Sequence, residues 1–510
     1  MPSTLQQLLA TGADDAIALA APGRPGLSYR NLRRLVADTL ASLNAIGVGR
    51  NDRVAIVLGN GPEMASCFIA CASGTTSAPL NPAYRADEFE FYLSDLHAKA
   101  LIVQQGSTSP ALEVAARLGV RIVDLVVDAG APAGQFRLVA REAAGATLPA
   151  THAGHGEPTD TAMVLHTSGT TSRPKIVPLS VANLCASARH IRSTLQFTPA
   201  DVGLNIMPLF HIHGLIAGVL APLSAGARVF CTPGFNALRF FAWMDEARPT
   251  WYTAVPTMHQ AIVQRAKASG NAAIIASNPL RFLRSSSSSM PPQVIRELEE
   301  TFHAPLIEAY GMTEATHQMA SNPLPPGARK PGTVGMAAGP EIAIMGEGGA
   351  LLAAGETGEI VIRGPNVTAG YEANPKANAE AFTNGWFRTG DQGTLDGDGY
   401  ISITGRLKEI INRGGEKVSP REIDELLMDH PAVAQVVCFG MPHPKLGEEV
   451  AACVVLREGA PVTERELQDF VGLRAAEYKV PKKILFMDEI PKGATGKLQR
   501  IGLAAKLGLD

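Results

Sequence analysis

The chain has 510 residues, a formal net charge of −3 and a hydrophobic content of 46%. A chain of this length exceeds one ordinary hydrophobic core and predicts roughly two to four folding units. The small net charge gives no basis for binding nucleic acid or anionic lipid, so we predict neither partner. We also expect no secretory signal and no membrane span, because no uncharged apolar run reaches about 18 residues.

The six cysteines are scattered along the chain, and no CxxC pair occurs. This pattern predicts buried, reduced thiols in a cytoplasmic protein. Whether the protein is a monomer or a homodimer is left open by the sequence.

Helical and strand patterns alternate through the first part of the chain. Ser28 can cap a helix from Tyr29 to about Leu43, and Pro62 can open another at a first-turn position. Strand patterns begin at Arg53, Ala100, Met163, Val229 and Trp251. Alternation of this kind predicts an α/β fold with a parallel sheet covered on both faces. The Ala-, Gly- and His-rich stretch 132–158 is interpreted as a surface connection.

The pattern changes after about residue 332. Short β-runs separated by glycine-rich turns predict a β-rich part over about 332–405 that completes an N-terminal domain of residues 1–405. We place a hinge at 406–408. Residues 409–510 are predicted to form a small α+β domain, with one strand, a helix from Ser419 or Pro420 to about Asp429, two strands and another helix.

A loop rich in hydroxyl groups follows the strand that begins at Met163. Hydroxyls, backbone N–H groups and a lysine on one loop can hold a triphosphate. The spacing differs from that of a Walker A loop, and a solvated turn is the structural alternative. The candidate residues are Thr167, Ser168, Gly169, Thr170, Thr171 and Lys175.

The segment from Tyr310 to Glu314 places an aromatic ring beside a hydroxyl and a carboxylate. Tyr310 can lie against a purine, Thr313 can contact the α-phosphate, and Glu314 can bind Mg²⁺. Taken alone, the segment fits a helix cap equally well.

Asp391 follows Trp-Phe-Arg-Thr-Gly, and Arg406 follows fifteen residues later in Gly-Arg-Leu-Lys. An aspartate at a turn can accept both hydroxyls of a ribose, and Arg406 can add a donor. An Asx-turn is an equally good interpretation of Asp391 alone.

Lys497 lies close to the end of the chain, in Pro-Lys-Gly-Ala-Thr-Gly-Lys. A lysine presented on such a glycine-containing loop can neutralise charge that develops between a carboxylate and a phosphate. Without other information, a solvent-facing surface lysine is the more common interpretation.

Together and in this order, the four motifs resemble those of the adenylate-forming superfamily, which includes acyl-CoA synthetases, the adenylation domains of peptide synthetases and beetle luciferases. The resemblance extends from Ser28 to Arg500. It implies a large N-terminal domain of two stacked α/β subdomains plus a β-barrel-like part, and a small mobile C-terminal domain. It also implies ATP, Mg²⁺ and coenzyme A as cofactors or co-substrates.

The resemblance implies a role for each motif residue. Thr167, Ser168, Gly169, Thr170, Thr171 and Lys175 line the phosphate loop, and Ala309, Tyr310 and Gly311 lie near adenine. Thr313 contacts phosphate, Glu314 binds Mg²⁺, Asp391 and Arg406 hold the ribose, Lys408 is the hinge, and Lys497 bridges the acyl oxygen and phosphate. Gly414 and Gly415 lie on the loop that reaches the active site for thioester formation, and His211 closes the pocket wall. This chain departs from the family's phosphate loop at Ser172 and Ile176, which replace glycines, and Ile176 stiffens the backbone.

The region expected to hold the acid is rich in polar side chains. It contains His213, the run Ser285 to Ser289, and His317. These groups can give charge-assisted hydrogen bonds to a second carboxylate, whereas a fatty acid would leave them unpaired at about 1–3 kcal/mol each. The amino-acid sequence of this region resembles that of oxalate–CoA ligases, in which a serine of the run and the histidine after Thr-Glu-Ala-Thr contact the free carboxylate. This implies oxalate as the substrate, with Ser287 or Ser288 and His317 as its contacts.

The sequence also allows other roles for these residues, other acids and other acceptors. His211 and His213 could be a metal pair, although no further ligand stands nearby in sequence, and the serine run could be a low-complexity loop. The acid could instead be malonate, a medium-chain fatty acid or an aryl acid. The acceptor could be a carrier protein in trans, or the chain could be an inactive binding protein.

Overall fold

The computed structural model describes residues 3–141, 148–167, 174–268, 270–491 and 500–509. The first part of the chain builds a mainly parallel sheet of strand order β7-β6-β5-β3-β4-β8-β9 and supplies the edge hairpin of a second sheet. Its elements are α1 (Leu5–Leu9), β1 (Ile17–Ala21), β2 (Arg24–Ser28), α2 (Tyr29–Ala45), β3 (Arg53–Val57), α3 (Pro62–Ala72), β4 (Thr76–Pro79), α4 (Ala86–Asp95), β5 (Ala100–Gln104), α5 (Ala111–Leu118), β6 (Arg121–Val126), β7 (Arg137–Ala140), β8 (Thr161–Thr167) and β9 (Lys175–Ser180).

The second part completes the other sheet, of order β16-β15-β14-β13-β12-β10-β11-β1-β2, in which β14, β15 and β16 are antiparallel. A π-helix, His213–Leu220, and a 3-10 turn, Thr313–Ala315, interrupt the regular elements. The elements are α6 (Val181–Thr194), β10 (Val202–Asn205), α7 (Ala221–Leu223), β11 (Arg228–Cys231), α8 (Phe240–Ala247), β12 (Trp251–Ala254), α9 (Pro256–Ala266), α10 (Asn271–Ser277), β13 (Phe282–Ser285), α11 (Pro292–Phe302), β14 (Leu306–Met312), β15 (His317–Ser321) and β16 (Met336–Ala337).

Local sequence signals explain where these elements begin. The Ser28 hydroxyl accepts the backbone N–H of Asn31 at 3.3 Å and caps α2, as predicted. Pro62 occupies the first turn of α3, also as predicted. One hydrophobic core joins both sheets through α2, α3 and α6, with Ile56 of β3 and Val229 of β11 in the same cluster. The two sheets are therefore stacked through a shared layer of helices, which confirms the predicted α/β architecture.

The β-rich part and the C-terminal part follow. The first is an antiparallel sheet in which β18 and β20 are central. Its elements are β17 (Glu341–Met345), β18 (Gly358–Arg363), α12 (Pro375–Ala381), β19 (Phe382–Thr383), β20 (Trp386–Leu395) and β21 (Ile401–Arg406). The C-terminal part packs helices on a sheet of order β23-β22-β25-β24, with β26 beside β25; its elements are β22 (Ile411–Arg413), β23 (Glu416–Val418), α13 (Pro420–Met428), β24 (Val433–His443), β25 (Gly447–Leu456), α14 (Glu464–Gly472), β26 (Lys483–Phe486) and α15 (Leu503–Lys506).

Two sequence-based expectations need correction. Within 132–158, residues Arg137–Ala140 form β7, an edge strand that pairs antiparallel with β6, because alternate side chains of this segment face the protein. In the C-terminal part, the segment predicted as one strand is the hairpin β22–β23, and β26 and α15 were not predicted. Both are short elements whose sequence pattern is weak.

The six cysteines are buried and free of disulfides, as expected. Across the residues that the structure describes, no helix combines the length and apolar character required to cross a bilayer.

Candidate active site

The phosphate-loop motif is held by the hairpin of β8 and β9. Thr167 ends β8 and stands directly opposite Lys175, which begins β9. The intervening Ser168, Gly169, Thr170 and Thr171 lie outside the described residues. Ile176, the second residue of β9, is buried in a hydrophobic core, and its carbonyl accepts the N–H of Glu372 at 3.1 Å. The first residues of β9 are thus tied to Glu372, while the effect of Ile176 on the loop itself stays a prediction.

Lys175 and Glu314 meet at Tyr371, a residue that sequence reasoning did not single out. The Lys175 ammonium lies 4.4 Å from the centre of the Tyr371 ring. The Tyr371 hydroxyl donates to Glu314 Oε1 at 2.9 Å. Burial raises the pKa of the Glu314 carboxyl, and the Tyr371 hydrogen bond and the charge of Lys175 act in the opposite direction. A buried carboxylate beside a lysine is suited to binding Mg²⁺ together with phosphate.

A second group lies where β14 packs against the antiparallel sheet of the β-rich part, and it consists of Tyr310, Asp391 and Arg406. The Tyr310 hydroxyl donates to Asp391 Oδ2 at 2.6 Å, and Arg406 Nε donates to Asp391 Oδ1 at 2.8 Å. Asp391 and Arg406 are paired across β20 and β21, so the pairing of the strands places them together. Burial and the negative charge of Asp391 raise the pKa of the Tyr310 phenol, which therefore stays a donor. The group offers a fixed carboxylate of the kind that binds ribose hydroxyls.

Arg284 is the centre of the third group and is wholly buried. Its Nη1 lies 3.3 Å from His213 Nε2 and 3.4 Å from Thr253 Oγ1. Its Nη2 lies 3.2 Å from both His317 Nε2 and Gln318 Oε1. The two imidazoles stack on each other with ring centres 4.8 Å apart. The predicted substrate residues His213 and His317 are therefore brought together, around an arginine.

Ser287 is the serine of the run that joins this group. Its hydroxyl lies 3.1 Å from His213 Nδ1. Ser288 and Ser289 instead face a cavity of about 140 Å³ between the large and small domains, which α13 and Arg500 close on the far side. Ser285 and Ser286 are buried. The arrangement favours Ser287 over Ser288 as the substrate contact.

The backbone around this group is unusual. Ser287, Thr316 and His317 have positive φ angles of 76°, 50° and 95°. Non-glycine residues rarely adopt this region, at a cost of about 1–3 kcal/mol each, and such residues concentrate at functional sites. His213 also begins the π-helix, another feature that is frequent at functional sites.

Gly311 has no side chain, and this allows the backbone of β14 to lie against the backbone of β15 at His317. A Cβ at Gly311 would lie 1.7 Å from the carbonyl oxygen of His317. Any side chain there would displace His317. Ala309 is buried earlier on β14, opposite Ser321, and the half-buried Thr313 begins the 3-10 turn that leads to Glu314.

His211 is half-buried at the start of this region, with its ring 4.5 Å from that of Phe210. It lies before the π-helix, and its carbonyl accepts the N–H of Leu215 at 3.1 Å. In the described part of the chain, no three His, Cys, Asp or Glu side chains gather as a metal site. His213 is instead engaged by Ser287 and Thr253, at 3.1 and 2.7 Å.

The residues predicted to form the hinge, to assist adenylation and to reach the site for thioester formation all come from the last part of the chain. Lys408 is exposed in a 3-10 turn, Leu407–Glu409. Gly414 and Gly415 form the two-residue turn of the β22–β23 hairpin, with φ angles of 61° and 101° that favour glycine. Lys497 lies outside the described residues. Arg500, just beyond it, is held by Glu409 at 3.1 Å and by Asp424 at 2.9 Å.

Most of the chain matches one known protein family. Residues 7–372 match the family model described as AMP-binding enzyme, and residues 422–497 match its C-terminal domain. The chain belongs to the AMP-binding enzyme family. The prediction of an adenylate-forming enzyme is thereby confirmed.

Two relatives and one solved structure are similar to this chain over most of its length. The chain is 44% identical to an oxalate–CoA ligase of Arabidopsis thaliana, with 98% of this chain and 97% of the relative covered. It is 42% identical to an oxalate–CoA ligase of Saccharomyces cerevisiae, with 89% and 86% covered. ATP-bound MatB from Rhodopseudomonas palustris superposes with a TM-score of 0.86 at 29% identity, and 99% of each chain is covered.

Sequence reasoning missed Arg284, Thr253, Gln318 and Tyr371. One signal could have revealed Arg284: it is a charged residue inside the short run Phe-Leu-Arg-Ser. The structure shows that this run is β13 and that all four of its residues are buried. Such a residue is rarely inside a protein without a functional or structural partner. Tyr371 carries no comparable signal, because its contact with Glu314 spans 57 positions.

Proposed function

We propose that this AMP-forming ligase activates oxalate as an oxalyl-adenylate and then transfers the oxalyl group to coenzyme A. The observation that carries the proposal is the group formed by the buried Arg284, His213 and His317 together with the half-buried Ser287, which offers polar contacts where a fatty acid would need apolar ones. The names of the two relatives with 44% and 42% identity support the same substrate.

In the first half-reaction, a carboxylate oxygen of oxalate attacks the α-phosphorus of ATP. The bond from that phosphorus to its bridging oxygen breaks, and pyrophosphate leaves. Positioning and electrostatic stabilisation dominate such a displacement, since little proton transfer is required. Thr167, Lys175 and the loop between them hold the phosphates, Thr313 contacts the α-phosphate, and Lys497 stabilises the negative charge that develops.

Glu314 would bind Mg²⁺ with the phosphates, and the ion would supply positive charge against the triphosphate. The fit rests on the burial of this carboxylate beside Lys175 and Tyr371. Asp391 and Arg406 hold the ribose, while Ala309, Tyr310 and Gly311 border the adenine. His211 closes the wall between nucleotide and acid.

In the second half-reaction, the small domain rotates about Lys408 and presents the turn of Gly414 and Gly415 to the site. The thiolate of coenzyme A attacks the acyl carbon of oxalyl-adenylate, the bond to the phosphate oxygen breaks, and AMP leaves. The buried, free cysteines support a reducing, cytoplasmic setting for this chemistry.

An acid screen tests the proposal. AMP release is measured with ATP, Mg²⁺ and coenzyme A for oxalate, malonate, octanoate and a cinnamate. Oxalate should give the highest kcat/KM, and omission of coenzyme A should suppress turnover. Equal or higher rates with octanoate or the cinnamate would refute the substrate, and rapid turnover only with a carrier protein would refute the acceptor.

A further inference from the structure

Arg284 is a buried cation whose charge has no carboxylate partner among the described residues. Within the ranges that the structure describes, no Asp or Glu forms an ion pair with it, and its partners are the neutral acceptors of two histidines, a threonine and a glutamine. Its Nε is buried and has no hydrogen-bond partner in the part of the chain that the structure describes. Burial lowers the pKa of the guanidinium to about 9, which still leaves it charged at neutral pH. An isolated buried charge is costly to a fold, so a protein that keeps one has a use for it.

We propose that Arg284 is the positioning residue for dicarboxylate selectivity: its charge balances the substrate's second carboxylate, and its hydrogen bonds orient His213, His317 and Ser287 toward that carboxylate. This inference rests on the proposed function and adds a residue to it. Because Arg284 is fully buried, it acts through these neighbours.

The orientation follows from the chemistry of the guanidinium, which donates hydrogen bonds and accepts none. Nε2 of His213 and Nε2 of His317 both face it at 3.2–3.3 Å, so both nitrogens act as acceptors. In a neutral ring the proton is then on Nδ1. His213 Nδ1–H therefore donates to the Ser287 hydroxyl at 3.1 Å, and the Ser287 proton is left to donate to an anion.

A second set of contacts fixes the strand that carries Arg284. His259 Nε2 donates to the Arg284 carbonyl at 3.1 Å, and His259 Nδ1 accepts from the Tyr252 hydroxyl at 3.1 Å. Burial lowers the pKa of His259 to about 4, so this ring is neutral and both contacts persist at neutral pH. The guanidinium is therefore held from its backbone as well as from its side chain.

The test separates charge from shape. Oxamate replaces one carboxylate of oxalate with a neutral amide of similar size. For the wild type, Arg284→Met and Arg284→Lys, kcat/KM is measured for oxalate and for oxamate, with oxamate scored as a competitive inhibitor if turnover is too slow. Arg284→Met should lower kcat/KM for oxalate by about 30-fold or more, the scale of losing one partner of a buried charge pair, and should change oxamate recognition far less. Arg284→Lys should restore part of the selectivity because it restores the charge.

Arg281→Met is the matched control. Arg281 precedes the same strand, but Asp201 neutralises it in an ion pair. Its loss should lower the melting temperature, because Asp201 is left buried, and should leave the ratio of oxalate to oxamate unchanged. A melting-temperature increase on adding ATP shows that each variant is folded.

The outcomes distinguish this inference from the function on which it rests. If the wild type does not prefer oxalate over oxamate, the proposed function is wrong. If the wild type has that preference and Arg284→Met keeps it, or loses both acids by the same factor, the role assigned to Arg284 is wrong. A selective loss of oxalate that lysine partly rescues supports it.

Discussion

The Tyr371 hydroxyl donates to Glu314 Oε1 at 2.9 Å, while Lys175 lies over the face of the same ring. One tyrosine thus joins the phosphate hairpin to the carboxylate that we assign to Mg²⁺. Because Glu314 is buried, its ionised form depends on such donors.

Tyr371→Phe should weaken the use of Mg·ATP. The substitution keeps the ring beneath Lys175 and removes one hydrogen bond to a charged group, which is worth about 1.5–3 kcal/mol. We expect KM for Mg·ATP to rise by about tenfold, with little change in KM for oxalate. Steady-state kinetics at varied Mg²⁺ measures this. Tyr400→Phe is the control, since Tyr400 lies in the β-rich part and its hydroxyl donates to the carbonyl of Ala328. An equal rise in KM for Mg·ATP in that variant would contradict the assignment.

Ser287→Ala and Ser289→Ala should differ in their effects on oxalate. Ser287 contacts His213, whereas Ser289 faces the cavity between the domains. Loss of the Ser287 hydroxyl should lower kcat/KM for oxalate by about tenfold or more, because a hydrogen bond to an anion is removed. Ser289→Ala should stay within about twofold of wild type, a change below 0.5 kcal/mol. A larger loss at Ser289 would assign the contact to the other end of the run.

Much of this site could be predicted from the sequence, but the contacts between residues far apart in the chain could not, and the reason is physical. Asp391, Arg406 and Glu314 stand in motifs whose local chemistry is visible in the chain. The contacts of Arg284 with His213 and His317 join residues 71 and 33 positions apart. Their geometry depends on strand order in a sheet, which local patterns do not determine. For the same reason, the sequence could not distinguish Ser287 from Ser288: a positive φ at Ser287 is set by the surrounding fold.

Glu308 should make stability depend on pH. It lies on β14, and burial raises the pKa of its carboxyl to about 8, with Arg421 of α13 acting in the opposite direction. Between the unfolded pKa, about 4.3, and this folded value, the folded state binds the extra proton. The free energy of unfolding contributed by this group therefore falls as pH rises through that window.

Glu308→Gln should remove that dependence. The variant should gain melting temperature relative to wild type as pH rises from 5 to 8, with the largest gain at pH 8. Thermal melts across this range measure the difference, and Glu300→Gln, at an exposed position on α11, is the control. A gain that is constant with pH would show that Glu308 is ionised in the folded protein.

Lys497→Ala should separate the two half-reactions. We expect adenylation, followed by ATP–pyrophosphate exchange, to be abolished, while thioester formation from supplied oxalyl-adenylate stays near wild type. In the proposed mechanism, the lysine stabilises charge only during attack on the α-phosphorus. Lys492→Ala, in the same segment, serves as the control. An equal fall in both half-reactions would contradict the role given to Lys497.

In the proposed function, the group around Arg284 recognises the second carboxylate of the substrate. The most direct measurement is a competition in which the enzyme receives ATP, Mg²⁺, coenzyme A and equal concentrations of oxalate, malonate, octanoate and a cinnamate. The CoA thioesters formed are then identified by mass. Oxalyl-CoA should dominate the products from the earliest time points. Predominance of octanoyl-CoA or cinnamoyl-CoA would contradict the account, because neither acid has a second carboxylate for that group to bind.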